Sequence, residues 1–400
     1  MKLKHLLPLA LSVFLTFSMQ AQDITENRFG KGLVNVMAKD SSYSLVFAAR
    51  FQSLYSSQWE FPHYEEFESG DSNFLIRRAR LKFDGFAFSP KLVYKLEVGL
   101  SNRDISGTSV YTGNTPRYIL DAVLKWNFFE NFELWAGQTK LPGNRERVIS
   151  SANLETVDRS LVNSRFNIDR DMGLQLHHSL NLGPNFLIRE AFAFSQGEGR
   201  NISTGNLGGY QYTGRIEALP LGDFSDYTGA DLSREETPKL AVGFTYDHNA
   251  NAVRTRSNSG TYMVNDIGFH EADINTIFLD AMFKYQGWSV MVEYADRTSD
   301  QPIAMNSDGT ATGAVVNVGD GFNILTGYVF KNNFQVTGRY TTIELEEEIT
   351  GAGVETQYTL GFSKYLVGHK LKVQTDVSLN DYENNIDNSL MYRFQIDFHF

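Results

Sequence analysis

The chain has 400 residues and no cysteine, and its 47 acidic and 36 basic side chains give a net charge of −11. This acidic balance argues against a general nucleic-acid binder, because phosphate backbones attract basic surfaces. The lack of cysteine excludes disulfides, thiolate metal ligands, a cysteine nucleophile and lipid attachment to an N-terminal cysteine. After residue 21, no segment approaches the run of about 20 apolar residues that a transmembrane helix needs.

The first 21 residues predict export. Two lysines precede an apolar run over residues 6–17, and small residues follow at 18–21. This is the layout of a secretory signal peptide, and the run is too short for a spanning helix. A buried N-terminal helix is the alternative. We expect residues 1–21 to be cleaved, and residues 22–42 to form an N-terminal periplasmic segment.

Apolar and polar residues alternate along the chain from residue 44 to its end. Because neighbouring side chains of a strand point to opposite faces, each such segment has one apolar and one polar face. Several segments run about ten residues, the length that a tilted strand needs to cross a membrane. Clear examples are 43–52, 91–100, 120–126, 240–246, 277–285 and 371–377.

The connections between these segments alternate in length. Short turns are expected near 89–90, 129–130, 183–184, 286–287, 331–332 and 367–368, and long loops over 56–71, 102–117, 142–169, 248–273 and 298–320. Only 220–237 is long where a short turn is due. A soluble sandwich or propeller shares the strand period, but not this alternation of loops. The pattern predicts an all-β, antiparallel, up-and-down transmembrane barrel over residues 43–400, with about 16 strands, short periplasmic turns and long extracellular loops.

The last strand is strongly amphipathic. Tyr392, Phe394, Ile396, Phe398 and Phe400 share one face, whereas chain ends are usually polar and frayed. An ordinary terminal strand of a soluble sheet is the alternative. The segment resembles the C-terminal strand of outer-membrane proteins. That resemblance implies that Tyr392, Phe394, Phe398 and Phe400 form a signal for the barrel-assembly machinery of a Gram-negative outer membrane.

A basic wall is expected inside the barrel. Charge at mid-membrane on the lipid side costs several kcal/mol, so the charged face of strand 74–87 should point into the lumen. Arg77 has lipid-facing parity, and we expect it near the interface, where it can snorkel. The lumen-facing cations are Arg78, Arg80 and Lys82 of this strand, joined by Arg50, Lys95 and Lys125 of its neighbours. They either attract anions or pair with Asp84, Glu97 and Asp121 as a wetted wall.

The segment over residues 137–171 mixes arginines, carboxylates and apolar residues. Its cations include Arg145, Arg147, Arg159 and Arg165, and five apolar side chains between 154 and 166 could pack a compact loop. Long loops with their own apolar residues are often functional. Folded inward, 142–169 would narrow the barrel; the alternative is an outward loop held by its own ion pairs.

Four motifs resemble one known family. The runs FLIRRARLKFDG, GQTKLP, RERVISSANLETVDRS and RFNIDRDMGLQL occur in this order between residues 74 and 176. Together they are similar to the phosphate-selective porin O and P family. The resemblance implies a trimeric sixteen-stranded barrel, whose inward-folded third loop, 142–169 here, forms a basic constriction. Arg78, Arg80 and Lys82 match the basic strand of the motif. The chain departs from the pattern in its acidic balance and in the carboxylates among the loop arginines.

We therefore expect an outer-membrane porin that passes small polar solutes, anions such as phosphate among them. A surface-binding or adhesion protein anchored by a barrel, and a membrane-embedded hydrolase, are the alternatives. No HExxH, Walker or G-x-S-x-G motif is present, and the adjacent His177 and His178 face opposite sides, so we expect no enzyme, cofactor or metal site. The expected partners are small inorganic anions, outer-membrane lipid and lipopolysaccharide, the assembly machinery and two further copies in a homotrimer, with no nucleic acid. The expected pore-lining, anion-binding residues are Arg50, Arg78, Arg80, Lys82, Lys95, Lys125, Arg145, Arg147, Arg159 and Arg165.

Overall fold

The computed structural model describes residues 23–24 (backbone only), 29–61, 70–105, 108–383 and 388–400. The predicted signal peptide over residues 1–21 lies outside the described residues. Within them, no helix combines the length and apolar character that crossing a bilayer would take.

Sixteen antiparallel strands form a closed barrel, in which each strand pairs with the next along the chain. The last strand pairs with the first, from Asn388 opposite Phe61 to His399 opposite Arg50. Closure leaves no strand edge unpaired, which a bilayer requires because it offers no hydrogen bonds to a free edge. This confirms the predicted fold. The strands are β1 (Ser44–Phe61), β2 (Ser72–Ala87), β3 (Ser89–Gly99), β4 (Ile119–Phe129), β5 (Phe132–Lys140), β6 (Arg170–Gly183), β7 (Phe186–Ser195), β8 (Gln211–Leu219), β9 (Lys239–Ala252), β10 (Ala272–Tyr285), β11 (Trp288–Ser299), β12 (Gly319–Val329), β13 (Phe334–Leu345), β14 (Glu355–Val367), β15 (Leu371–Tyr382) and β16 (Asn388–His399).

Smaller elements decorate the barrel. Short strands Asp23–Ile24 and Val34–Met37 pair with each other, and the second also pairs with the start of β1. Within the described residues, the long loops contain three small hairpins: Arg254–Arg256 with Ser259–Tyr262, Val264–Asn265 with Gly268–Phe269, and Ile303–Met305 with Ala311–Val315. They also contain helices Asn102–Ile105, Arg145–Val148, Leu161–Phe166 and Glu347–Thr350, and a 3-10 turn at Val110–Thr112.

The connections alternate as expected. Short turns such as 130–131, 184–185 and 286–287 join strands at one rim, and long loops lie at the other. The 286–287 turn needs positive φ at both residues, 47° at Gln286 and 93° at Gly287, as tight hairpin turns do. Since outer-membrane barrels carry their long loops outside the cell, the short-turn rim is periplasmic.

Each strand divides its residues between lipid and lumen. Outward residues such as Leu174 and Phe192 are large, apolar and 49% exposed, whereas the inward Asp247 and Gln395 are polar and almost fully buried. The outward apolar side chains are favoured by contact with lipid, and the inward polar side chains form hydrogen bonds inside the barrel.

A β-bulge changes the parity of β2. Gln52 of β1 pairs with Arg78, and the next residue, Ser53, pairs with Ile76, so Arg77 is the extra residue. The bulge turns Arg77 inward, where its Nη2 lies 3.0 Å from Oδ1 of Asp158. Arg77 therefore does not sit at the lipid interface as its parity indicates, because a single inserted residue shifts the alternation.

Gly137 of β5 lies where two neighbouring strands approach closely, so a substitution there tests whether this contact requires glycine. Its φ is +128°, and an added Cβ would lie 2.2 Å from the carbonyl oxygen of Ala122. Gly137→Ala should lower the unfolding free energy in detergent micelles by roughly 1–3 kcal/mol through backbone strain and this clash.

The matched control is Gly214→Ala in β8, where an added Cβ would meet nothing within 4 Å. Denaturant titration followed by tryptophan fluorescence measures both variants. Equal midpoints for the two would show that Gly137 is not sterically required.

Candidate functional site

Residues 141–169, here called the inner loop, lie inside the barrel. Arg50 of β1 donates to Oγ of Ser151 at 2.7 Å, and Arg297 of β11 donates to the carbonyl of Phe166 at 2.6 Å. On another side, Asp158 accepts from Arg78 of β2 at 3.2 Å. Only a segment within the lumen can reach strands so far apart around the wall.

The inner loop rests on an apolar part of the lumen wall. Val162, Phe166 and Ile168 are fully buried against the inward residues Phe278, Ala295 and Ile343. A second cluster packs Ile149 and Leu154 against Met282, Met291 and Leu325. Burying each large apolar side chain contributes about 1.5–3 kcal/mol. The inner loop is therefore fixed along β10–β13 and leaves the opposite wall open.

Arg145 ties the inner loop to two other parts of the lumen. Its guanidinium lies 2.6 Å from Glu217 of β8, 2.7 Å from Asp226 and 2.6 Å from Asp280 of β10, and its side chain is fully buried. Arg145 thus does not line an open passage, which differs from the expected pore-lining role. Three carboxylates converge on it, so it acts as an anchor.

Asp226 belongs to residues 220–238, the one long connection at the periplasmic rim. We call it the inward segment, because it folds up into the barrel. The amide of Gly229 donates to the carbonyl of Asn153 in the inner loop at 2.8 Å. Nζ of Lys284 donates to the carbonyl of Ser225 at 2.7 Å. Burial raises the pKa of Tyr227 to about 12, so its hydroxyl stays protonated and donates to Glu217.

The open wall, with the inner loop, encloses a cavity of about 570 Å³, here called the upper cavity. Extracellular-side residues such as Arg103 and Arg200 border it. Eleven basic side chains and five acidic ones line it. The basic ones are Arg77, Arg78, Arg80, Lys95, Arg103, Lys125, Lys140, Arg147, Arg159, Arg170 and Arg200; the acidic ones are Glu97, Asp104, Asp121, Asp158 and Asp169.

Part of this charge is neutralised by pairing. Arg80 lies 2.6 Å from Asp104 and 3.0 Å from Glu97, and Lys95 lies 2.7 Å from Asp121. Burial alone would raise the pKa of Asp158, but Arg77, Arg78 and Arg393 hold it well below its usual range. Asp158 therefore stays ionised and fastens the inner loop to β2. The wetted-wall alternative describes these residues well.

Five cations of the upper cavity have no carboxylate within 4.0 Å among the described residues: Arg103, Lys125, Lys140, Arg159 and Arg200. Lys125 lies 3.4 Å over the ring of Trp135, and Arg159 donates to the carbonyls of Glu146 and Ile149 at 2.7 Å. Lys140 and Arg200 likewise donate to backbone carbonyls. Because a carbonyl dipole does not cancel a full charge, the cavity keeps an excess of positive charge.

Six of the ten expected site residues line the upper cavity: Arg78, Arg80, Lys95, Lys125, Arg147 and Arg159. Besides Arg145, three lie elsewhere and are paired: Arg50 with Asp397, Lys82 with Asp84, and Arg165 with Glu355.

Five cavity cations are absent from the expected set: Arg77, Arg103, Lys140, Arg170 and Arg200. Lys140 and Arg170 directly adjoin the two ends of the inner loop, so their position in the sequence already indicated that they lie near the constriction. Arg103 and Arg200 lie in loops, where no alternation of residues predicts which way a side chain points. The bulge reverses the orientation that the alternation predicts for Arg77.

A sixteen-stranded barrel with an inward-folded loop and a polar, charged passage defines an outer-membrane porin. The chain belongs to the family described as phosphate-selective porin O and P, whose profile matches residues 49–398. The protein is therefore an outer-membrane channel for small solutes.

Solved structures share the fold at low identity. An anion-selective porin from Comamonas acidovorans has a TM-score of 0.56 at 11% identity, covering 90% of this chain and 100% of its own. OmpT, an outer-membrane protein of Vibrio cholerae, has a TM-score of 0.53 at 11% identity, with coverages of 91% and 100%. The outer-membrane channel DcaP of Acinetobacter baumannii has a TM-score of 0.51 at 11% identity, with coverages of 92% and 100%. No curated protein matches the chain.

Arg145→Ala should loosen the inner loop. It leaves the three buried carboxylates Glu217, Asp226 and Asp280 with only two cations, Arg189 and Arg215. Breaking a buried ion pair in this way costs about 3–5 kcal/mol. Single-channel recordings should show larger and noisier conductance, because both lumen segments lose an anchor. Arg165→Ala removes a single ion pair, with Glu355, whose arginine is 35% exposed; it is the control and should leave conductance unchanged. Quiet, wild-type conductance in Arg145→Ala would contradict the anchoring role.

Proposed function

We propose that this channel prefers anions, and that the upper cavity is its selective constriction. The observation that carries the proposal is the excess of basic over acidic side chains around one narrow space. Walls of low dielectric concentrate the field of such charges, which raises the local concentration of anions and lowers that of cations.

The five cavity cations without a carboxylate partner among the described residues supply positive charge that is not neutralised. Their guanidinium and ammonium groups can donate charge-assisted hydrogen bonds to a passing oxyanion. Phosphate is a candidate solute through the family to which the chain belongs. The paired cations shape the wall, and the inner loop narrows the lumen opposite them.

The homotrimer is part of the proposal. OmpT of Vibrio cholerae, which shares the fold at a TM-score of 0.51 and 12% identity, has been described in a trimer form. Cross-linking in intact outer membranes, followed by electrophoresis, tests the assembly of this chain; a monomer alone would contradict it.

Export by a cleaved signal over residues 1–21, and recognition of the last strand by the assembly machinery, also remain proposals. The aromatic seam supports the second: Phe398 packs against Phe29, Phe51 and Phe400 where β16 meets β1. N-terminal sequencing of the protein from outer membranes tests the first, and a start at Met1 would contradict it.

Removing free cations should weaken anion preference. Lys125→Gln together with Arg200→Gln deletes two charges that have no carboxylate partner. The anion-to-cation permeability ratio should fall by about fivefold per charge at most, since a unit charge at contact in water contributes on the order of 1 kcal/mol. Reversal potentials in a salt gradient across planar bilayers measure the ratio. Cation preference in the unmodified protein would overturn the proposal.

Asp158→Asn should act in the opposite direction. It removes the carboxylate that lies 3.0 Å from Arg77 and 3.2 Å from Arg78, so two more cations become available to anions. The same reversal potentials should shift toward stronger anion preference. Asp223→Asn, at an exposed position of the inward segment, is the control. A shift toward cations in Asp158→Asn would show that Arg77 and Arg78 do not act on the solute.

A further inference from the structure

A second cavity of about 350 Å³ lies on the periplasmic side of the upper cavity. Asn131 of a periplasmic turn and Tyr227 of the inward segment border it. We call it the lower cavity. Trp135, Lys140 and Val148 line both cavities, so these three side chains form the boundary between them.

The two cavities differ in charge. Three acidic and three basic side chains line the lower cavity, among them Glu217, Arg189 and Arg215. Arg215 lies 2.7 Å from both Glu217 and Asp280, and Arg189 contacts Glu217 at 3.1 Å as well as Asp226. Together with Arg145, these three arginines face three carboxylates, so their charges balance. Apart from Lys140 at the boundary, the residues that line the lower cavity include no unpaired Lys or Arg. A small inorganic anion that leaves the upper cavity therefore finds no such cation to bind there.

The boundary and the lower cavity also present apolar side chains to the open space. Leu141, Pro142 and Val148 of the inner loop line the lower cavity together with Ala191 of β7. Trp135 is packed between two side chains there: Lys125 lies 3.4 Å from its ring centroid, and the His177 ring stacks on it at 3.9 Å. Two groups so close to one indole must occupy its two faces. A hydrated oxyanion gains little from these side chains, whereas an apolar group gains from burial against them.

From this difference we infer that the preferred solutes are small organic anions that carry an apolar portion, such as aromatic carboxylates, rather than inorganic phosphate. The acidic group is held by the free cations of the upper cavity near Lys125 and Lys140. The apolar portion leads past Val148 into the lower cavity, where the balanced charge lets the acidic group leave. The inference rests on the proposed anion preference and specifies the solute class.

The test compares benzoate with dihydrogen phosphate as blockers of chloride current through the intact protein in planar bilayers. In mildly acidic buffer both carry the same charge, so a difference in half-blocking concentration reports the apolar ring. Benzoate should block at the lower concentration. Val148→Thr keeps the side-chain shape but replaces a methyl by a hydroxyl. It should raise the half-blocking concentration of benzoate by about fourfold, the equivalent of one buried methyl group, and leave that of phosphate unchanged.

Ala191→Ser on the opposite wall is a second variant with the same expected direction, and it serves if Val148→Thr fails to assemble. Val110→Thr, at a largely exposed position of an extracellular loop, is the control and should change neither blocker. Equal or stronger block by phosphate, with anion preference intact, overturns this inference and leaves the proposed function standing. A channel without anion preference overturns the proposed function itself.

Discussion

The buried guanidinium of Arg145, held between Glu217, Asp226 and Asp280, joins the inner loop, the wall and the inward segment. Taking such charges out of water is costly, and close, well-oriented partners must offset that cost. The contact therefore fixes where two long connections lie inside the barrel. With them in place along β8–β15, the remaining space lies beside β2–β7. The position of the channel follows from this arrangement.

The lumen wall serves two different purposes. Under the inner loop it is apolar, as at Phe278 and Met282, and it behaves as a small dry core. Across the lumen it is charged and wet. Net charge does not predict this division: the chain carries −11 overall, yet basic residues exceed acidic ones around the upper cavity. Selectivity depends on the local field in the passage, because charges beyond about 10 Å are largely screened at moderate salt.

A channel needs binding that is strong enough for entry and weak enough for exit. In the proposed pathway the two cavities supply these requirements in series. Lys125 and Arg159 present unpaired positive charge above the boundary at Val148, and below it Glu217, Asp226 and Asp280 pair with Arg189 and Arg215. The same boundary is apolar, so a solute with both a charged and an apolar part has a favourable contact at each stage.

The sequence by itself determined the barrel, its strand number, the alternation of its connections and the basic inward face of β2, because these depend on a local period of two residues. It also indicated the inner loop, whose apolar residues at Val162 and Phe166 need a surface to cover. The tertiary structure alone decided which charges are free. Arg145 meets a carboxylate 72 residues away, and Val157 meets Asp376 at a separation of 219 residues. No local pattern encodes such contacts, nor the bulge at Arg77, nor the inward course of residues 220–238. Pairing between distant charges, and hence the field in the channel, is set only when the closed barrel brings its loops together.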